Sequence, residues 1–219
     1  PSIILFGGEP FTRKDIPDIV RAVKKRRLGV GIFTNGILLN EELIRSLIGS
    51  GLDHIAFSLQ GTREAHDSIL SIPGAYDKMT NNIRIFTSVK PRGTKVITHT
   101  TICEYNLNCL NDVARTAFDL GADLVRFGHP TFYSAGEERR SSENLKSVFK
   151  DVKDIKATSY IYDIGGREEL YLKKIRELKS EFGSRISFTP ELGDKELAAW
   201  YSPDFKSGRN CLFTWRGLF

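Results

Sequence analysis

The strongest constraint on this chain is a rhythm. Five short runs rich in apolar β-formers start near residues 3, 30, 54, 95 and 123, and each of the first four is followed by a helix-patterned stretch. Strands alternating with helices imply parallel βαβ units joined by right-handed crossovers. The fold class is therefore α/β, as an open sheet or a complete or partial (β/α) barrel with outer helices. The first run (Ile3, Ile4, Leu5, Phe6) has no polar alternation and reads as a strand buried on both faces. Between the runs, Ile16, Ile19, Val20 and Val23 share one helical face, as do Leu43, Ile44, Leu47 and Ile48 ahead of a glycine stop. Met79, Ile83 and Phe86 share another in "IPGAYDKMTNNIRIF", and "LNDVARTAFDLGA" reads as the next helix.

After His129 the rhythm breaks into the polar excursion "PTFYSAGEERRSSEN". Two helices are predicted beyond it, "ENLKSVFKDVKD" and "REELYLKKIRELKSEF", the second aligning Tyr171, Ile175, Leu178 and Phe182. "RISFTP" reads as one more strand. Residues 1–200 are read as one domain and 201–219 as the start of a C-terminal extension. The chain opens on Pro1 and closes on "TWRGLF", so a piece cut at both ends is expected.

Composition narrows the function classes. Hydrophobic residues make up 40% and charged residues 27%, with no signal-peptide pattern and no apolar run long enough to cross a bilayer. The net charge of +5 comes partly from basic clusters such as "RAVKKRR". Aromatics are not interleaved with them, so they read as solvated helix faces rather than a nucleic-acid surface. Three irregularly spaced cysteines (Cys103, Cys109, Cys211) argue against a disulfide scaffold and for a cytoplasmic location. They form no metal motif.

The unusual polar residues collect where the strands end, the edge at which parallel α/β folds bind ligands. Gly7, Gly8, Glu9 and Pro10 end the first strand, and Thr34, Asn35 and Gly36 the second. Ser58 and Gln60 end the third, and Cys103 to Asn106 the fourth. A carboxylate at a strand end with no adjacent Lys or Arg calls for a cation, and the glycines allow close approach. Each motif also has a purely structural reading. Thr12 with Asp15 could form a capping box, Asn35-Gly36 a turn and Asn40 an N-cap. Ser58 and Gln60 could satisfy loop backbone, and His66-Asp67 could cap the next helix.

"FGGEPF", then "TNG", then "SLQG…HDSI…GAYDKMTNNI" closely resembles the radical S-adenosylmethionine (SAM) enzymes, over roughly Ile3 to Gly128. Within them it looks most like the branch that modifies peptides and proteins or builds peptide-derived cofactors. The resemblance implies that the GGEP segment binds the methionine amino group of SAM, so that Glu9 faces an ammonium. It implies that Thr34, Asn35 and Ser58 lie at the cofactor, that Asn106 matches a loop asparagine, and that Gln60, often Asp in the family, keeps only hydrogen bonding to ribose or substrate. His99, Thr101 and Cys103 share a parity expected to face inward, with His99 equally readable as a plain barrel-lining residue. In the family a [4Fe–4S] cluster, fed by a donor such as flavodoxin or ferredoxin, cleaves SAM to a 5′-deoxyadenosyl radical that abstracts hydrogen from substrate. The family's Cys-x-x-x-Cys-x-x-Cys cluster loop is not in this sequence. The expectation is that it lies upstream of Pro1 and that the chain alone is silent. Cys211, near Trp215, is a weak candidate for an auxiliary-cluster ligand and otherwise a buried thiol. Arg126, Tyr133, Arg139 and Arg140 are candidate contacts near the barrel mouth. Two rival readings stay open: a degenerate, cluster-less barrel acting as a binding module, and an unrelated (β/α) enzyme using Glu9 and His99 as acid and base.

Overall fold

A computed structural model of the chain describes residues 1–129 and 167–199. The predicted strands form β1 (Ser2–Leu5), β2 (Gly29–Thr34), β3 (His54–Phe57), β4 (Lys95–Thr101), β5 (Leu124–Gly128) and β6 (Ile186–Thr189), the last being the strand expected from "RISFTP". Every neighbouring pair is parallel, and spatial order follows chain order from β1 to β6. Each crossover therefore steps in the same direction, and right-handed crossovers then put the helices on one face. The result is a partial (β/α) barrel whose other face is the inner wall.

The helices are α1 (Ile16–Lys25), α2 (Glu41–Gly49), α3 (Arg63–Leu70), α4 (Ala75–Val89), α5 (Leu110–Asp119) and α6 (Glu168–Phe182). The long connection after β3 holds two of them, because Ser71 adopts a left-handed φ of 55° and Gly74 a φ of 78° between α3 and α4. Side chains alternate along each strand. Val30, Ile32, Ile55, Phe57, Val96, Val125 and Phe127 point to the helices and are fully buried. They meet Val20, Ile44, Leu47, Met79, Ile83, Phe86, Ala117, Tyr171 and Leu178 from the helices, all likewise inaccessible to solvent. Phe57 and Phe86 pack edge to face at 6.2 Å. Burial of one such side chain contributes about 1.5–3 kcal/mol.

The first strand departs from expectation. Ile3 and Ile4 are 39% and 42% exposed, because β1 is an edge strand paired only with β2. Three of the basic residues in "RAVKKRR" are engaged locally: Arg21 donates to Ser50 and Asp18, Lys24 to Asp53, and Arg26 to the Ala22 carbonyl. Asn40 caps α2 as expected, its Oδ1 accepting from Leu43 N at 2.8 Å. The capping box at Thr12 and Asp15 does not form. Thr12 donates to the Glu9 carbonyl at 2.8 Å, and Asp15 accepts from Arg13 instead.

The amino ends of β3 and β5 are fastened alike. Asp53 accepts from Val30 N at 2.7 Å and from Lys24, and Asp123 accepts from Val96 N at 2.8 Å and pairs with Lys90 and Lys95. Burial opposes ionisation of both, but the hydrogen bonds from lysine and backbone outweigh it and hold both carboxyls below the usual range. A depressed carboxyl contributes stability above its unfolded pKa of about 3.9 and loses it as pH falls through the folded value. Urea midpoints measured across pH should thus fall below about pH 4. Asp53→Asn with Asp123→Asn should flatten that fall, and an unchanged acid limb in the double variant would remove these pairs as its cause.

Contacts divide the chain into two compact units, residues 1–132 with 159–191, and residues 133–158 with 192–219. The described part of the second is residues 192–199. It contains α7 (Asp194–Ala199), buried Leu192 and Leu197, and a Glu196 carboxylate accepting from Gly193 N at 3.0 Å. The expected boundary at 200/201, the helix "ENLKSVFKDVKD", and Tyr133, Arg139, Arg140 and Cys211 lie outside the described residues. Among the described residues no helix is long and apolar enough to cross a membrane.

Candidate functional site

The site is built at the carboxyl ends of β1 to β4. Beyond β1, Gly7 and Gly8 lead to Glu9, whose side chain caps a single 3-10 turn, Pro10–Thr12, with Pro10 at its start. Glu9 Oε1 accepts from Phe11 N at 3.1 Å and from Thr34 Oγ1 at 2.8 Å, and Oε2 accepts from Asn35 N at 2.9 Å. Thr34 Oγ1 in turn accepts from Gly36 N at 2.9 Å, and Asn35 Oδ1 accepts from Ile37 N at 3.0 Å, closing the expected turn. Gly36 has a φ of 74°, and a Cβ there would lie 2.8 Å from the Phe57 ring, so no other residue fits easily. Asn82 of α4 is buried and donates to the carbonyls of Gly36 and Leu39 at 2.8 and 3.0 Å. The GGEP and TNG loops are one hydrogen-bonded unit. Among the described residues no Lys or Arg pairs with the Glu9 carboxylate. A carboxylate offers about four acceptor positions, and three are used.

The next two strand ends are clipped together. Ser58 N donates to the Thr34 carbonyl at 2.9 Å, while its hydroxyl has no hydrogen-bond partner among the described residues. Gln60 Oε1 accepts from Thr101 N at 2.9 Å, and its own N donates to His66 Nδ1 at 3.0 Å. Burial pushes the His66 pKa down against a smaller opposing pull from Asp67, which favours the neutral ring that Nδ1 needs in order to accept. Asn106 is fully buried. Its Nδ2 donates to the carbonyls of Gln60 and Thr101 at 2.7 and 2.8 Å, and its Oδ1 accepts from Cys103 N at 2.8 Å. The Asn106 amide is bonded to backbone at both ends, while no hydrogen bond among the described residues uses the Gln60 amide nitrogen. Asp67 reaches from α3 to Gly74 N and Tyr76 N at 2.7 and 2.8 Å, and so caps α4.

On the inner wall the parity expected for β4 holds for His99 and Thr101 and ends there. Cys103 lies past the strand in a turn, 2% exposed, with its thiol pushed up by burial. Phe6, Phe33 and His99 form an edge-to-face row with 5.8 Å between successive centroids. Burial, and then the nearby Arg126 charge, lower the His99 pKa to about 4, so the ring is neutral near pH 7. No hydrogen bond joins His99 to Glu9, and the geometry does not assemble them as an acid–base pair.

The rim has room for a ligand at its glycines. A Cβ built on Gly7 or Gly8 would have no neighbour within 4 Å, and neither residue adopts a left-handed φ. Packing therefore does not demand glycine there, whereas close approach of a ligand to the backbone would. These residues fit an amino-acid-bearing cation such as SAM. The described residues do not fit an iron–sulfur cluster, because no group of three His, Cys, Asp or Glu side chains among them could hold a metal ion. Sequence reasoning passed over Asn82 and the anchoring role of His66. Asn82 was detectable, as a polar residue on the same helical stripe as Met79, Ile83 and Phe86.

Comparison with known proteins gives this rim its context. The chain is 32% identical over 123 residues to the AdoMet-dependent heme synthase of Methanosarcina barkeri, covering 56% of the chain and 34% of that protein. It is 28% identical over 137 residues to the PqqA peptide cyclase of Granulibacter bethesdensis, covering 62% and 36%. The chain thus spans little more than a third of these relatives. Among solved structures it shares the fold of Streptococcus suis SuiB, with a TM-score of 0.60 and 15% identity over 85% of the chain and 38% of SuiB. SuiB bound to its precursor peptide SuiA matches with a TM-score of 0.51 and 17% identity, over 68% of the chain and 35% of SuiB. Residues 1–117, more than half of the 219, match the Radical SAM superfamily and include every rim residue from Gly7 to Asn106; the chain belongs to that superfamily.

Proposed function

We propose that this chain is the SAM-binding part of a cytoplasmic radical SAM enzyme that takes hydrogen from a peptide or a peptide-derived substrate. Members of the superfamily use SAM together with a [4Fe–4S] cluster. The observation that carries the reading is the Glu9 carboxylate, fixed by Phe11 N, Thr34 and Asn35, with no cationic partner among the described residues, beside two unobstructed glycines. In this reading Glu9 holds the SAM ammonium while Gly7 and Gly8 let the cofactor lie against the backbone, and Pro10, Thr34 and Asn35 keep Glu9 in place. Ser58, the Gln60 amide nitrogen and Thr101 face the ribose or the substrate. His99 lines the chamber as a neutral ring. The cluster, when bound, supplies the electron that cleaves SAM, drawn from a flavodoxin- or ferredoxin-type donor. A peptide substrate is supported by the likeness to a peptide cyclase and to a fold that binds a precursor peptide.

The test uses the full-length protein that carries this chain, reconstituted anaerobically with iron and sulfide. The expected result is SAM binding, the absorption of a [4Fe–4S] cluster, and 5′-deoxyadenosine formation on reduction. SAM binding with no iron uptake would overturn the radical chemistry in favour of a binding module, and absence of SAM binding would overturn the site itself.

A further inference from the structure

Arg126 projects from the middle of β5 on the inner wall, in register with His99 of β4 on one side and Ser187 of β6 on the other. It is half-buried, and no hydrogen bond or ion pair ties it to any described residue. The Ser187 hydroxyl is buried and also without a partner. The inward positions of β2 to β6, from Gly31, Phe33, His54 and Ala56 to Ile97, His99, Leu124, Gly128 and Ser187, include no carboxylate. Glycines make room for the two imidazoles on this wall. A Cβ on Gly31 would fall 2.0 Å from His54 Nε2, and one on Gly128 would fall 3.3 Å from His99 Cε1. Among the described residues the pattern is a cation, an idle hydroxyl and uncharged rings on one inner wall, which is the chemistry that receives an anion.

We propose that Arg126, with His99 and Ser187 beside it, binds a carboxylate carried by the substrate. The proposal rests on the reading above, in which this inner face is the reaction chamber. Burial and then the Arg126 charge lower the pKa of His99 to about 4, so the His99 ring can donate N–H near neutral pH without adding charge. Burial lowers that of His54 against an opposing pull from Asp53 that exceeds the push from Arg126. A planar guanidinium matches a carboxylate in a two-point contact, and charge-assisted bonds of this type are the strong ones. The carboxylate of SAM is the alternative source, and the SAM titration of the Arg126 variants separates the two.

The experiment titrates the SAM-loaded full-length protein with N-acetylglutamate and with its neutral isostere N-acetylglutamine, by calorimetry. The wild type should prefer the acid by about tenfold or more. Arg126→Gln should erase that preference with SAM affinity unchanged, Arg126→Lys should restore part of it, and Ser187→Ala should weaken it. Survival of the preference in Arg126→Gln, or no preference in the wild type, overturns the proposal. Loss of SAM affinity in Arg126→Gln transfers the anion to SAM and overturns the substrate assignment. The SAM titration of the wild type stands separately, so failure of the cofactor reading is not confused with failure of this one.

Discussion

Replacing Asn106 by alanine lowers the unfolding free energy by about 2–4 kcal/mol, because one fully buried side chain serves three backbone groups. Cys103 N would be left buried and unsatisfied, and the part-buried carbonyls of Gln60 and Thr101 would lose their donor. Against a total stability of about 5–15 kcal/mol for a domain, that is a large share. The urea midpoint should drop while the slope stays constant, since the surface exposed on unfolding hardly changes. Asn106→Asp should do nearly as much harm, because it keeps the acceptor for Cys103 N but aims a carboxylate oxygen at two carbonyls. The measurement separates clip from ligand. A residue that only touched the cofactor would leave the midpoint alone and weaken SAM binding, and that outcome would return Asn106 to the site.

The clip also shows what the sequence can and cannot express. Parallel strands joined by helical crossovers follow from alternation and crossover handedness, whereas the order of the strands does not, since the same alternation suits an open sheet or a barrel. The exposure of β1 does not follow, because an apolar run looks the same whether it has one neighbouring strand or two, and Ile3 and Ile4 differ from Ile32 only in what lies beside them. The rim was legible as a set, since four strand ends carry polar residues on one edge. Its division of labour was not. Asn106, Gln60 and Thr34 can bond to backbone as well as to a ligand, and the structure gives all of Asn106, half of the Gln60 amide and the Thr34 hydroxyl to the backbone and to Glu9. The failed capping box has the same origin. Thr12 sits within reach of the Glu9 carbonyl, and a nearer acceptor wins over a spacing rule.

In the proposed reading Glu9 is both a strut between the loops and a contact for SAM, and its variants should separate the two roles. Glu9→Ala is expected to weaken SAM binding by about 1.5–3 kcal/mol, roughly 10- to 150-fold, the range for a charge-assisted contact. Glu9→Gln keeps the size of the side chain and one acceptor oxygen for Thr34 or Asn35 but loses the charge, so most of the affinity loss should remain. The strut role predicts something else: loosened loops and a weaker site for any ligand that uses the rim. The control is 5′-methylthioadenosine, which keeps the adenosine end of SAM and lacks the amino acid. If Glu9 faces the ammonium, this ligand should bind wild type and Glu9→Gln alike while SAM discriminates between them. If both ligands weaken equally, Glu9 acts only by tying the end of β1 to the end of β2, and the ammonium of SAM lies elsewhere.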